Sequence, residues 1–412
     1  MVTVLGFDPA LPGLPAIDDP REVVRILAPG ADDARVRRQD TKYDPGVRCV
    51  AAQQVNHRGG SSASAGPLLG AVVVTTGGVD GYPMERDPGL PSIGEALDAP
   101  AMAARLADAL PPGRPETTWT AAPVRYKPGR QCVIRYDVTS QGEKEVFYGK
   151  LFAGGCSTLV RLVGELTTVA AEVEHAPVVL PVVGHWPDLG LMVQRAVRPM
   201  VDVHALAGDP SAPSERRRSA LAGAGRALAA LHCCPLPEAP TRTRADDLRE
   251  LRDYRPAVAR ADGSLGVHYS KVLELLGGSS GEEEAAVTSH GAFRTDQLVL
   301  SGDRFVMIDL DTVCRGEPAR DIGNLLAYLD WKAIRLPGLA EDFAELGRAF
   351  LDGYDGRRRL PEPSRIAWHR AASLVKIAGR RYRSLSTKEW TLVPTLLIGA
   401  ERYAADLPVG AS

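Results

Sequence analysis

The chain has 412 residues, of which 44% are hydrophobic and 24% charged, with a formal net charge of −2 and a pI near 6.5. That length exceeds one compact core and predicts two or three domains, while the composition is that of an ordinary soluble globular protein. The near-neutral balance argues against a nucleic-acid footprint or an anionic-membrane binder, and no apolar run approaches the roughly 18–20 residues of a transmembrane helix. The opening MVTVLGFDPALPGLP lacks the basic start of a signal peptide. The 6 cysteines form no CxxC pair, which predicts a reduced, cytoplasmic chain. Abundant alanine and arginine with sparse lysine hint at a GC-rich bacterial source.

Taken in order, a Pro- and Asp-rich start holds a short helical pattern near Arg21 to Leu27. A strand-like segment from Ala34 leads to Tyr43-Asp44-Pro45-Gly46-Val47-Arg48-Cys49-Val50. The pattern returns as Tyr126-Lys127-Pro128-Gly129-Arg130-Gln131-Cys132-Val133. Each copy of Tyr-x-Pro-Gly-x-x-Cys-Val precedes a strand, a polar loop and an apolar strand ending in Gly-Gly. The repetition predicts a duplicated three-stranded unit; the alternative is two unrelated Pro-Gly turns. The first copy's loop, Arg58 to Ser64, is Gly/Ser-rich and expected to be flexible. Counted back from Gly-Gly, Lys150 in the second copy stands where the first has Val73. A lysine inside the apolar run Val146 to Phe152 is costly to bury unless it meets an anion.

Between the copies, Leu97 to Leu110 reads as a helix, broken at Pro111-Pro112-Gly113 and Pro115. That break predicts a domain boundary near residue 115. A helix follows from Ser157 to about Glu174, then strands at Val178 to Val183 and Leu189 to Ala196. Helices are expected at Ser214 to His232, Asp246 to Val258 and Tyr269 to Leu276, with His232 in a structural role. Beyond the central segment come helices at Leu339 to Tyr354, Pro363 to Tyr382 and Trp390 to Leu407. The basic run Lys376 to Arg383 reads as a solvated helix face, with binding of an anionic partner as the alternative.

The densest information lies in 287–330. Gln297 to Leu300 and Arg304 to Leu310 read as a hairpin about Ser301-Gly302-Asp303. Asp309 and Asp311 stand where the second strand ends, and Ala319 to Leu329 reads as a helix with Asp321 in its first turn. Carboxylates at a strand end, facing a loop that starts His-Gly, suit a divalent cation and a phosphate chain. No HExxH, GxSxG or paired GxGxxG pattern supports a zinc, hydrolase or dehydrogenase reading.

The segment His290-Gly291-Ala292, four residues, Gln297, then Ile308-Asp309-Leu310-Asp311, then Asp321-Ile322-Gly323 resembles the catalytic core of the aminoglycoside phosphotransferase and choline kinase family. The resemblance implies an α+β, protein-kinase-like two-lobe fold: an antiparallel-sheet N-lobe at 116–198 and a mainly helical C-lobe at 199–412. Residues 1–115 would form an N-terminal α+β cap domain repeating the N-lobe hairpin unit. It implies ATP (or another nucleoside triphosphate) and Mg as cofactors. Lys150 would meet the phosphates, with Glu165 as its acidic partner (Glu172 and Glu174 fit the spacing as well), and Lys127 and Arg130 of the hairpin turn would reach toward them. The strand Leu191 to Arg195 would sit at the adenine.

On the same resemblance Asp309, Gln297 and Asp311 would hold the metal, His290 would pack under the loop, and Asp321 would brace it through backbone N–H groups. Ala292 stands at the catalytic aspartate position and can take no proton; Asp296, four residues on, is a substitute base to consider. Two functions are therefore expected. One is an ATP-dependent phosphotransferase acting on a hydroxyl of a small molecule or peptide. The other is a pseudokinase that binds nucleotide and serves as scaffold or allosteric partner of another enzyme, such as a peptide-modifying biosynthetic one.

Overall fold

A computed structural model describes residues 7–31, 33–56, 67–109, 117–140, 142–197, 200–279 and 283–408. The loop Arg58 to Ser64 and the Pro111 to Pro115 break lie outside the described residues. The chain divides into two compact units. The first takes residues 1–160, 182–196 and 382–387; the second takes 161–181, 197–381 and 388–412. The first unit thus holds residues 1–115 together with 116–160 and 182–196, while 161–181 fall in the second.

In the first unit, α1 (Pro20–Leu27) is followed by a four-stranded antiparallel meander. Its strands are β1 (Arg35–Asp44), β2 (Arg48–Asn56), β3 (Leu68–Thr75) and β4 (Gly78–Pro83). Two short helices come next, α2 (Ile93–Leu97) and α3 (Ala99–Arg105). They replace the single helix expected from Leu97 to Leu110. Asp98 ends one and caps the other, accepting from the Ala101 N–H at 3.1 Å, and Pro100 suits the first turn of a new helix. Then come β5 (Thr117–Lys127), β6 (Gln131–Ser140) and β7 (Glu143–Phe152). The chain leaves through α4 (Ser157–Glu172) and β8 (Val178–Val179) before returning as β9 (Val182–Trp186) and β10 (Leu191–Arg195). The second sheet runs β5-β6-β7-β10-β9. The segment Val178 to Val183, expected as one strand, is divided between two sheets, because Pro181 carries no N–H to extend the ladder.

The internal repeat is geometric as well as sequential. Val50 faces Val73 across β2–β3, and Val133 faces Lys150 across β6–β7, so Val73 and Lys150 hold equivalent registers. Each Pro-Gly turn is closed by a carboxylate from an upstream Asp-Pro loop. Asp8 accepts from the Tyr43 hydroxyl at 2.6 Å and the Gly46 N–H at 2.8 Å. Asp87 accepts from the Tyr126 hydroxyl at 2.6 Å and the Gly129 N–H at 2.7 Å. Gln53 and Tyr136, at matching places in β2 and β6, donate to the Ile17 and Ala96 carbonyls. The repeat thus begins at Asp8-Pro9-Ala10-Leu11-Pro12 and Asp87-Pro88-Gly89-Leu90-Pro91, upstream of the segment read as duplicated. Ile93, Met102, Leu106, Ile134, Tyr136 and Phe147 join one buried core beneath the second sheet.

The second unit is mainly helical. It contains β11 (Val201–Asp202), α5 (Val203–Gly208), α6 (Ser214–Leu231), α7 (Arg244–Ala261), α8 (Gly263–Gly278) and β12 (Val287–Ser289). The hairpin β13 (Leu298–Ser301) and β14 (Arg304–Met307) leads to β15 (Cys314–Gly316). Helices α9 (Pro318–Arg335), α10 (Ala340–Asp355), α11 (Pro363–Arg383) and α12 (Val393–Ala405) complete it. A small sheet β11-β13-β14-β8 and the pair β12-β15 carry the segments of interest. The basic run of α11 is not a solvated face. Lys376 pairs with Glu250 at 2.7 Å, Arg381 with Glu389, and Arg383 with Asp44 at 2.7 Å. Among the described residues no helix is long and apolar enough to cross a membrane.

Candidate functional site

The β12–β15 pair sets Ser289 against Cys314, so the chain leaves β12 at His290 beside the 310–313 turn. There the Thr312 hydroxyl donates to the His290 carbonyl at 3.0 Å. Gly291 follows with φ +81, and a Cβ at that position would collide with the Thr312 carbonyl. Glycine is required on both counts.

This bend aims three backbone donors of one loop at one carboxylate. Asp321 accepts from the N–H groups of His290 at 2.7 Å, Gly291 at 3.0 Å and Phe293 at 3.4 Å. His232 Nε2 lies 3.5 Å from the same carboxylate, and its Nδ1 lies 2.8 Å from the Tyr354 hydroxyl. Asp321 is fully buried. Burial alone would push its carboxyl up, but His232 and the loop donors hold it below its ordinary value. Burial also pushes His232 down, toward the neutral imidazole. The loop N–H groups and the His232 ring together hold the buried carboxylate.

The helix bearing Asp321 is anchored in turn. Glu317, at the N-cap of α9, accepts from Arg244 at 2.6 Å, Arg365 at 2.7 Å, the Glu284 N–H at 2.9 Å and His369 at 2.9 Å. Against the cost of burial, these donors hold its carboxyl well below the usual range.

His290 is buried; its Nε2 meets the Ile308 carbonyl at 3.0 Å and its ring stands edge-on to Phe293. The Ile308 N–H donates to the Gln297 carbonyl at 3.0 Å, which brings Gln297 beside the end of β14 where Asp309 begins. Gln297 is buried, and its side-chain Oε1 has no hydrogen-bond partner. Asp309 has φ +63, a left-handed conformation uncommon for a side-chain-bearing residue, and Asp311 lies in the 3₁₀ turn that follows. The half-buried Ala292 offers only a methyl group. Asp296 is exposed and lies 3.0 Å from Arg294.

The other residues singled out by sequence have local partners. Arg130 pairs with Asp40 of β1, and Lys127 donates to Gln131 at 3.0 Å. Glu165 pairs with Arg161 at 2.7 Å, one helical turn before it. Lys150 lies on β7, in register with Met192 of β10. Sequence reasoning missed Asp8, Asp87 and Glu317. The two Asp-Pro-x-Leu-Pro loops were a visible signal for the first two; Glu317 has none, because its donors come from three separate segments.

A β-sheet unit, a helical unit and a His-Gly loop braced by a buried aspartate are the parts of a protein-kinase-like fold. Residues 163–361 match the profile of the phosphotransferase enzyme family. No curated protein matches the chain. Among solved structures it is similar to a candidate aminoglycoside phosphotransferase from Ralstonia eutropha JMP134, with 16% identity and a TM-score of 0.55, covering 75% of this chain and 98% of that one. It is also similar to amicoumacin kinase solved with AMP-PNP and Ca²⁺, with 14% identity and a TM-score of 0.50, covering 77% of this chain and 96% of that one. At these identities the likeness establishes the fold.

Proposed function

We propose that the chain is an ATP- and Mg²⁺-dependent phosphotransferase acting on a hydroxyl of a small molecule or peptide. The observation that carries the reading is the Gln297 Oε1, buried without a partner next to the Asp309 strand end. An amide oxygen left unpaired in the interior costs about 1–3 kcal/mol, and a hard cation would satisfy it. Asp309, Gln297 and Asp311 supply the oxygen ligands such an ion prefers. The cation, when bound, would draw charge from the terminal phosphates. Lys150 would contact the phosphates, and Asp321 would hold the loop rigid without touching substrate. On this reading Arg130, Lys127 and Glu165 would serve the local pairs with Asp40, Gln131 and Arg161 rather than the phosphates. In the reaction the acceptor oxygen forms a bond to the γ-phosphorus while the bond to the β-phosphate oxygen breaks and ADP leaves. The hydroxyl proton passes to the transferred phosphoryl group or to water, since Ala292 cannot accept it. Loss of general-base help costs about 10²–10⁴ in rate, so slow turnover is expected.

Ala292 also supports a second reading, a nucleotide-binding pseudokinase that serves another enzyme as scaffold or allosteric partner. Asp296 does not repair the loss, because its carboxylate faces Arg294. Calorimetry with ATP·Mg²⁺ on wild type, Lys150→Ala and Asp309→Asn, with an ATP-hydrolysis assay, separates the readings. Binding that both substitutions reduce at least tenfold, with slow turnover, supports the enzyme. Binding without turnover, and no gain on Ala292→Asp, supports the pseudokinase. Absence of binding removes both.

A further inference from the structure

We propose that a cavity in the helical unit, walled on one side by Arg294, Thr295 and Asp296, binds an organic carboxylate. On the phosphotransferase reading, on which this part alone rests, that anion is the acceptor. The cavity measures about 520 Å³, enough for a small molecule. Tyr328, Trp331 and Phe343 give it an aromatic side; Arg294, Lys332, Arg335 and Arg381 give it four cations. Three carboxylates lie near them. Asp296 is 3.0 Å from Arg294, Glu389 serves both Arg335 and Arg381, and Asp202 acts on Lys332 from a distance. Cations remain in excess.

One of their donors is also under-used. Arg381 Nε is buried without a hydrogen-bond acceptor, whereas Arg294 has Asp296 at 3.0 Å from its Nε and donates to the Tyr328 hydroxyl at 3.1 Å. The Lys332 ammonium meets the His204 carbonyl at 3.1 Å and lies 5.7 Å from the centre of the Phe343 ring. Burial pushes Lys332 down to about 8, against the pull of Asp296 and Asp202. His204 and Tyr328 also line the cavity; His204 is pushed down by burial, then by Lys332, and Tyr328, against the upward push of burial, is pushed down by Arg294. An ammonium ligand would add a cation to this set, and a neutral amide would offer a single uncharged acceptor oxygen. A carboxylate accepts from two donors at once, while its apolar body lies on the rings.

The test uses the full chain at neutral pH and isosteric probes: 3-hydroxybenzoate, 3-hydroxybenzamide and 3-hydroxybenzylamine, with 3-hydroxybutyrate and inorganic phosphate beside them. Affinity is read by calorimetry and ligand-observed NMR. At least one carboxylate is expected to bind about tenfold or more tightly than the amide, with no binding of the amine. Lys332→Gln and Arg381→Gln are each expected to weaken it about tenfold, with unfolding curves showing both variants folded; if one fails to fold, the other decides. Equal affinity for the three isosteres overturns the proposal. So does phosphate binding that matches the carboxylates, indifference to the folded variants, or no carboxylate binding by about 10 mM. ATP·Mg²⁺ binding by the same wild-type sample shows whether the phosphotransferase reading stands when the anion site fails.

Discussion

Asp321 accepts three backbone N–H groups and faces His232, all out of water. Asp321→Ala would leave those donors buried without an acceptor, so a loss of about 3–5 kcal/mol in urea unfolding is expected. The contribution has a pH signature. The folded carboxyl binds its proton less tightly than the unfolded one. Its stabilisation is therefore fully present above the unfolded value and disappears as pH falls through the folded one. The stability difference between wild type and Asp321→Ala should shrink in that acid range. Lys332 has the same pH slope but an unfavourable contribution, because the form that burial disfavours is its charged one. Burial pushes it from 10.5 to about 8, so the unfolded chain binds the extra proton between those values and wild-type stability rises with pH across that window. Lys332→Met is expected to stabilise the protein at pH 7 by on the order of 1 kcal/mol after discounting for solvent screening. The gain should fade by about pH 10, as read by denaturation at both pH values.

At the scale of elements, α6 and α10 approach most closely at two glycines. A Cβ on Gly225 would strike the Phe350 carbonyl, and one on Gly353 would strike the Ala222 carbonyl. Both obstacles are helix backbone, which cannot rotate aside. Gly225→Ala is therefore expected to cost about 1–3 kcal/mol in thermal or urea unfolding, although alanine is the better helix former. The consequence reaches the loop, because α6 ends at His232 and α10 carries Tyr354, the two groups behind Asp321. The repeated hairpin unit shows the same economy of means in the sheets. Asp8 and Asp87 each gather a Tyr hydroxyl and a Gly N–H, so two turns of different sequence acquire one geometry.

For the whole molecule, nucleotide binding on the proposed reading would be linked to stability. A ligand present at 100 times its Kd adds about 2.7 kcal/mol, equivalent to a rise in Tm of roughly 2–5 °C for a chain of this size. ATP·Mg²⁺ is expected to produce that rise in wild type and much less in Lys150→Ala or Asp309→Asn, as read by scanning calorimetry. Asn tolerates the left-handed backbone found at position 309, so the second substitution removes charge without imposing a new strain.

The kinase-like fold was legible because its signals are local. Turn glycines, a short hairpin and a helix with an acid in its first turn are each written in a few consecutive residues, and their order along the chain is informative. The duplicated motif was legible for the same reason, and the register of Val73 with Lys150 followed from counting. What sequence alone left open depends on partners distant in the chain. The ion pairs of Lys376, Arg381 and Arg383 turn an apparently solvated basic face into a packed one. Glu317 becomes a hub only when three segments converge on it, and Arg130 turns to Asp40. Hydrophobic and turn patterns act through neighbours along the chain. Charge pairing, orphaned donors and cavities exist only after the chain has folded and removed them from water.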